Sequence, residues 1–468
     1  METTTNLDNG PAEVNKPQKL SFWTKFFYGI GDLGNAIINS AIQFFLMKFY
    51  TDGALILPSL AGNALLIGKF WDAINDPLFG WLADRTNAKV GRRRVFMFFG
   101  AIPLGISIAL LWFVPQGASR VATFAWIAIT FMLFDTLWTM TNVPYYALTS
   151  ELTDDYDERS ALTTFRMVMA VPAYLVGVAL TPMIVGFFAI ERSGWGFIGI
   201  LYGAICAVVL IASALGIKER AKVQRAKAKT RIFETIKATL TNKPFLRLCG
   251  AYLIISVSFT LVKTLMAYFL EYQLNMAAET SLVMGLMLIC VTISLPFWKW
   301  ASTKLDKGPT YAVGMVLGAV AVGLTYFLPH ERTNLIYFIA VLAGVGFGSQ
   351  WIFPWAMVAD VVDYDRIESG EFRSGMYYGV WGLATKISEA FAIAGVGWVL
   401  TGFGYQANVA QTAKSLLGIR LFFGPIPAIV ILVTLPLLIW YPLNRKKHAE
   451  IRAKLEAMDA AAESEEAA

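Results

Sequence analysis

The sequence predicts an all-α membrane protein with twelve transmembrane helices arranged as two six-helix halves. Composition is the first reason: of 468 residues, 56% are hydrophobic, 14% aromatic and only 15% charged, with a mean hydropathy of +0.55, well away from soluble domains. The second is that apolar runs of the roughly 20 residues needed to cross a bilayer core recur along the whole chain. The third is an internal repeat that divides those runs into two sets of six.

The runs fall near residues 22–51, 58–83, 95–115, 121–150, 162–188 and 195–217, then 246–273, 281–302, 309–329, 335–361, 374–402 and 418–442. Residues 1–21 hold no apolar core and no small-residue cleavage site, so they read as a polar tail and the first span does the targeting. Cations crowd the connections after span 2 (Arg85, Lys89, Arg92, Arg93, Arg94) and span 6 (Lys218 to Lys243), while the odd-numbered connections carry scattered ones such as Arg120, Arg192, Arg332 and Lys414. Short-loop Lys/Arg bias marks the cytoplasmic side. Both termini are therefore expected in the cytoplasm of a cell whose plasma or inner membrane holds the protein. The expected divisions are a bundle over 22–217, a basic cytoplasmic linker over 218–245, a second bundle over 246–442 and a cytoplasmic tail over 443–468.

The repeat pairs YALTSELTDDYDERS after span 4 with WAMVADVVDYDRIES after span 10. Ala147 matches Ala356, Glu151 matches Asp360 and Asp154 matches Asp363; a one-residue gap then pairs Tyr156 with Tyr364. Two parallel six-helix halves related by an axis along the membrane normal are the architecture of the major facilitator fold.

Other function classes are poorly served. Two histidines, His330 and His448, and three cysteines inside apolar stretches, Cys206, Cys249 and Cys290, leave no ligand cluster or disulfide framework. No P-loop or nucleophile elbow is present, so neither an enzyme nor a bound cofactor is expected. The formal charge of +6 comes from cations between spans, which sets topology and does not describe a nucleic-acid surface. A monomer in the lipid bilayer is the expected form.

Ionisable side chains inside spans are costly, so each is a candidate for function. In span 2, KFWDAINDPLFGWLADR places Asp72, Asn75 and Asp76 at i, i+3 and i+4, on one helix face. Two such carboxylates need a positive partner: a monovalent cation held by hard oxygens, a shared proton, or basic residues on neighbouring helices. Pro77 removes a helical hydrogen bond beside them. In span 4, Asp135, Thr139 and Asn142 share a face, and the Thr139 hydroxyl either faces a cation or bonds back to its own helix. Asp32 sits in span 1 among three glycines that allow close helix approach. Lys263 in span 7 has no partner nearby in sequence. Lys386 in span 11 either pairs with Glu389 at i+3 or faces the interior. Arg166, near the start of span 5, either faces a cavity or snorkels. Trp138, Tyr145, Tyr146, Trp351, Trp355 and Trp381 offer sugar-stacking faces or packing.

WDAINDPLFGWLADRT, NVPYYALTSELTDDYDER and ADVVDYDRIESGEFRSGMYYG, followed by the span-11 lysine, resemble the glycoside-pentoside-hexuronide:cation symporters over residues 22 to 442. The resemblance implies cation-coupled uptake of a sugar, with a coupling-cation site of Asp72, Asn75, Asp76 and Thr139, sodium at Asp72 and Asp76 being one form of it. It also implies a substrate cavity near Arg166, Trp351 and Lys386, to which Asp32, Asn142, Tyr146 and Lys263 are added from their positions. Two acids that grip a galactoside in the melibiose-transporting member are Ala36 and Asn142 here, and the aromatic residue after the second is Tyr146. With Arg166, Lys386 and Lys263 kept, the cavity is expected to be net positive and to favour an acidic sugar. Animal sodium-dependent lysolipid transporters resemble the same family, which keeps a lipid substrate, or an uncoupled facilitator, as the alternative.

Rocking of two halves about a central site gives alternating access. Arg92, Arg93 and Arg94 are expected either to bridge to the acidic segment carrying Asp360, Asp363 and Arg373, as a gate, or only to set topology.

Overall fold

The computed structural model describes residues 19–86, 91–153, 156–218, 239–370 and 373–466. Every regular element among them is helical. The first half runs α1 (Phe22–Ala41), α2 (Pro58–Arg85), α3 (Arg94–Leu111), α4 (Arg120–Ala147), α5 (Tyr156–Gly186) and α6 (Glu191–Gly216). The second runs α7 (Lys243–Tyr268), α8 (Thr280–Lys304), α9 (Lys307–Leu324), α10 (Leu335–Ser369), α11 (Ser374–Gly402) and α12 (Ala413–Ile439, interrupted at Gly424). A further helix, α13 (Arg445–Glu466), follows. Ten of these are long and apolar enough to cross a membrane, α3 to α12. The polar positions that make α1 and α2 interesting, Asp32 and Asn35 in one and Lys69, Asp72 and Asp76 in the other, hold both below that composition.

Helices are what a bilayer permits, because each backbone group must find its partner within the segment. Their ends are fixed locally. Ser21, Ser119 and Asn242 accept hydrogen bonds from backbone N–H groups of the first turns of α1, α4 and α7, as N-caps do. Gly370 closes α10 at φ +71° with its N–H donating to the Arg366 carbonyl, a left-handed stop that favours glycine.

The expected two-fold relation is visible in packing. In the first half α1 lies on α5 and α6, α3 on α4 and α6, and α2 on α4; in the second, α7 lies on α11 and α12, α9 on α10 and α12, and α8 on α10. The halves meet along two seams that the same relation exchanges, α2 with α11 and α5 with α8. Both α1 and α7 end in π-helical turns, Phe49–Gly53 and Phe269–Gln273. Each turn is closed by equivalent bonds, Ala54 to Phe49 and Leu274 to Phe269, before a residue at positive φ, Leu55 or Asn275.

The glycines of α1 do allow close approach: a Cβ on Gly29 would stand 2.8 Å from the Phe165 carbonyl oxygen of α5, and one on Gly34 2.8 Å from the Cys206 Cα of α6. On the α2–α11 seam a Cβ on Gly397 would stand 2.4 Å from the Pro58 carbonyl oxygen. Cys206 and Cys249 are buried, and no disulfide is formed. The basic linker beyond Lys218 lies outside the described residues up to 238.

Candidate cation and substrate site

Asp72 and Asn75 are both buried on the α2 face turned toward α4. The Asn75 amide donates to Thr136 Oγ1 at 3.1 Å and reaches Asp135 Oδ2 at 3.4 Å, and Trp71 donates to the same threonine at 2.8 Å. Asp135, itself buried, faces Asp72 closely enough for the two carboxyls to share a hydrogen bond. Thr139 is buried one turn further along α4. From the other half, Lys386 on α11 donates to Asp72 Oδ1 at 2.7 Å. Lys386 therefore reaches across the seam, which the in-helix pairing with Glu389 did not foresee. The Asp76 side chain lies outside the described residues. Asp135 was visible from sequence only as a neighbour of Thr139 on one helix face; its opposition to Asp72 depends on two helices and has no sequence signal.

Beside this cluster a cavity of about 260 Å³ opens between the halves. Its walls include Asp32, Asn35, Trp138, Tyr146, Arg166 and Tyr174 from the first half and Trp351 from the second. Arg166 faces the cavity and does not snorkel away. Its guanidinium meets Asp32 Oδ2 through Nε and a terminal nitrogen, each at 3.1 Å, and lies 4.4 Å from the Tyr146 ring centroid. Tyr146 in turn donates to Asp32 Oδ1 at 3.3 Å. Trp351 meets Tyr174 edge to face at 5.9 Å, across the seam. Asn142 stands behind the wall: its amide oxygen accepts from Asn35 and its amide nitrogen donates to the Trp138 carbonyl at 3.1 Å. That leaves the buried Asn35 Oδ1 without a partner in the cavity wall. Lys263 is buried on α7 and donates to Gln43 Oε1 at 2.9 Å. Of the cations expected to make the cavity net positive, Arg166 is offset by Asp32 and Lys386 by Asp72, while Lys263 meets only the neutral Gln43 amide.

A third cluster was missed from sequence. Where α1 and α7 end, Lys48 meets Asp52 at 2.6 Å and Glu271 at 2.7 Å. Asp52 also accepts from the hydroxyls of Tyr272 and Tyr405, each at 2.6 Å, and of Thr51 at 2.7 Å. Tyr268 donates to Thr51 at 2.7 Å, and Asn408 to the Asp52 carbonyl at 2.8 Å. The network ties α1 to α7 and to the α11–α12 connection, at the end of the bundle opposite the starts of α1 and α7. The cue available was Lys48 and Asp52 at i, i+4 near the end of a span.

At the terminal end, Asp360 on α10 is engaged within its own half by Lys307 on α9 at 2.6 Å and His448 on α13 at 3.3 Å. Arg94 donates to the Ala214 carbonyl at the end of α6. Arg92, Arg93, Asp363 and Arg373 all make further contacts. Among the described residues no cluster suited to a His, Cys or multi-carboxylate metal centre is present.

The family model described as MFS/sugar transport protein matches residues 27–445. An uncharacterized symporter of Synechocystis is 28% identical over 94% of this chain and 97% of its own length. The sodium-dependent lysophosphatidylcholine symporter 1 of Gallus gallus is 26% identical, covering 95% of this chain and 91% of that protein. Among solved structures, that of the nucleoside transporter NupG superposes with a TM-score of 0.64 at 13% identity, over 89% of this chain and 99% of the other.

Proposed function

Because the chain belongs to the MFS/sugar transport protein family, we propose that it is a secondary active transporter, coupling a monovalent cation, Na+ or H+, to uptake of a glycoside-type sugar through the cavity between its halves. The observation that carries the coupling is the opposition of Asp135 and Asp72 across α2 and α4, with only one of the two bonded to a lysine. Two buried carboxyls at this separation repel unless a cation or proton joins them. The oxygens of Asn75 and Thr139 complete a set of hard ligands for a small cation, with Asp76 expected beside them. Filling the site draws α2 and α4 together, and α4 carries the cavity residues Trp138 and Tyr146. Cation and substrate then favour the same closed state, which is the condition for coupling.

The sugar reading is supported by the unpartnered Asn35 Oδ1, which would accept a hydroxyl, and by the aromatic faces of Trp138, Tyr146, Tyr174 and Trp351. A lysolipid is the second reading; the apolar wall of Met167, Val171, Leu175 and Leu288 suits an acyl chain, and a relative is named for such a substrate. In this proposal the protein sits in the cell membrane with both termini and the Arg92–Arg94 connection in the cytoplasm, and the network around Asp52 closes the outer end. The test is the unfolding midpoint of purified protein in sodium against choline, with neutral glycosides, uronides and a lysophospholipid. A ligand of the folded state raises the midpoint by mass action. Sodium together with a sugar should raise it; a rise as pH falls, without a sodium effect, selects the proton, and one with lipid alone selects the second reading.

A further inference from the structure

Among the described residues, Lys263 is a buried cation with no carboxylate at ion-pair distance. Arg166 is paired with Asp32, Lys386 with Asp72, and Lys48 with both Asp52 and Glu271. Lys263 is 6% exposed, donates to the Gln43 amide oxygen at 2.9 Å and lies 4.8 Å from the Phe259 ring centroid. The field of Glu389 reaches it from further off and that of Lys69 opposes.

Gln43 is the link to the cavity. Its Oε1 also accepts from the Tyr174 hydroxyl at 3.0 Å, and its Nε2 donates to Asn39 Oδ1 at 2.8 Å. Tyr174 and Asn39 both line the cavity. The ammonium is therefore one side-chain amide behind the wall, on the opposite half from that amide. A neutral amide compensates a buried charge poorly, and a charged group kept inside a membrane without its partner marks a place where a partner arrives.

We propose that Lys263 receives an anionic group of the transported substrate, a carboxylate or a phosphate, which takes the place of the Gln43 amide on the ammonium. The proposal deepens the transporter reading and rests on it. An anion entering the cavity finds Arg166 and Lys386 already engaged by carboxylates. At Lys263 it gains a charge-assisted bond, and the Tyr174 hydroxyl, released from Gln43, is placed to donate a second. Lys263 belongs to α7 and Tyr174 to α5, so the bound anion bridges the two halves and favours the closed state.

Matched probes separate the sources of such a group. Methyl glucuronide and methyl glucoside differ by a carboxylate, and lysophosphatidic acid and a monoacylglycerol of the same chain differ by a phosphate. Dissociation constants are measured on the purified full chain in sodium buffer. One acidic probe should bind at least about tenfold tighter than its neutral partner, and Lys263→Gln should cut that preference to within about threefold by weakening the acidic probe. Lys263→Arg, which keeps the charge, should retain most of the preference. The pair that responds names the source, acidic sugar or phospholipid. Without ligand, Lys263→Gln should unfold at or above the parent midpoint, since it removes a lone buried charge. A lower midpoint with an unchanged preference makes Lys263 a structural tie between α1 and α7 and overturns the proposal. Equal binding within each pair, or no binding by either acidic probe, also overturns it. If sodium still raises the midpoint in those cases, the coupling reading stands without it.

Discussion

Two buried aspartates, Asp52 and Asp72, each meet a lysine, yet their surroundings differ in kind. Asp52 accepts from Lys48, Thr51, Tyr272 and Tyr405, so every direction around its carboxylate is filled by a donor. Asp72 meets Lys386 on one side and a second carboxyl, Asp135, on the other. A carboxylate saturated by donors is finished and holds elements together. One that faces another acid is incomplete and takes up a positive charge. The first is the pattern of a latch between the halves, and the second that of a site that fills and empties.

The contrast is sharpest when each lysine is removed. Lys48→Met leaves Asp52 buried with hydroxyl donors and no cation, and breaking a buried pair in this way destabilises by about 3 kcal/mol or more. The unfolding midpoint should fall markedly, indifferent to sodium, and recover in part when Asp52→Asn is added. Lys386→Met leaves Asp72 able to take a cation in place of the ammonium, so its loss should be smaller and should shrink as sodium rises. Equal and sodium-independent losses at both lysines would erase the distinction between the two aspartates.

At the incomplete site, Asp72→Asn should reduce concentrative uptake by at least about a hundredfold, a loss of roughly 2.7 kcal/mol of coupling, while substrate exchange without a gradient persists. Asp135→Asn removes the opposing charge but spares the lysine-bonded carboxylate, so it should weaken apparent cation affinity by about tenfold and leave accumulation measurable at high cation concentration. Uptake on a cation gradient that is undiminished in both variants, measured in proteoliposomes, would remove the cation site from α2 and α4.

Much of this arrangement was legible in the chain. Span length places the helices because the bilayer imposes it, and the spacing of Asp72 and Asn75 places them on one face because α-helical geometry does. The cross-helix partners were not legible. Whether Lys386 meets Glu389 three residues on or Asp72 in the other half depends on the α2–α11 seam, where close approach at Gly397 sets the distance. The same holds for Arg166, whose charge is offset by Asp32 through a pair that joins α1 to α5. Lys48 and Asp52 looked like ordinary charges at a span end, and only the π-helical turns and the returning Tyr405 enclose them.

The finest test of the comparison is Tyr405→Phe. It deletes one of the hydroxyl donors to Asp52, the one that comes from the α11–α12 connection, while Lys48, Thr51 and Tyr272 remain. A hydrogen bond to a charged acceptor contributes about 1.5 kcal/mol, so stability should drop by less than in Lys48→Met. The same bond crosses between the halves, and an element that opens in every cycle must break it. Weakening it shifts the balance of the two end states by about tenfold for that energy. A latch therefore predicts a several-fold change in uptake rate at unchanged cation affinity. A purely structural network predicts a lower midpoint and the parent's rate. Measuring both on one preparation decides whether the saturated aspartate only holds its end of the bundle shut or also takes part in opening it.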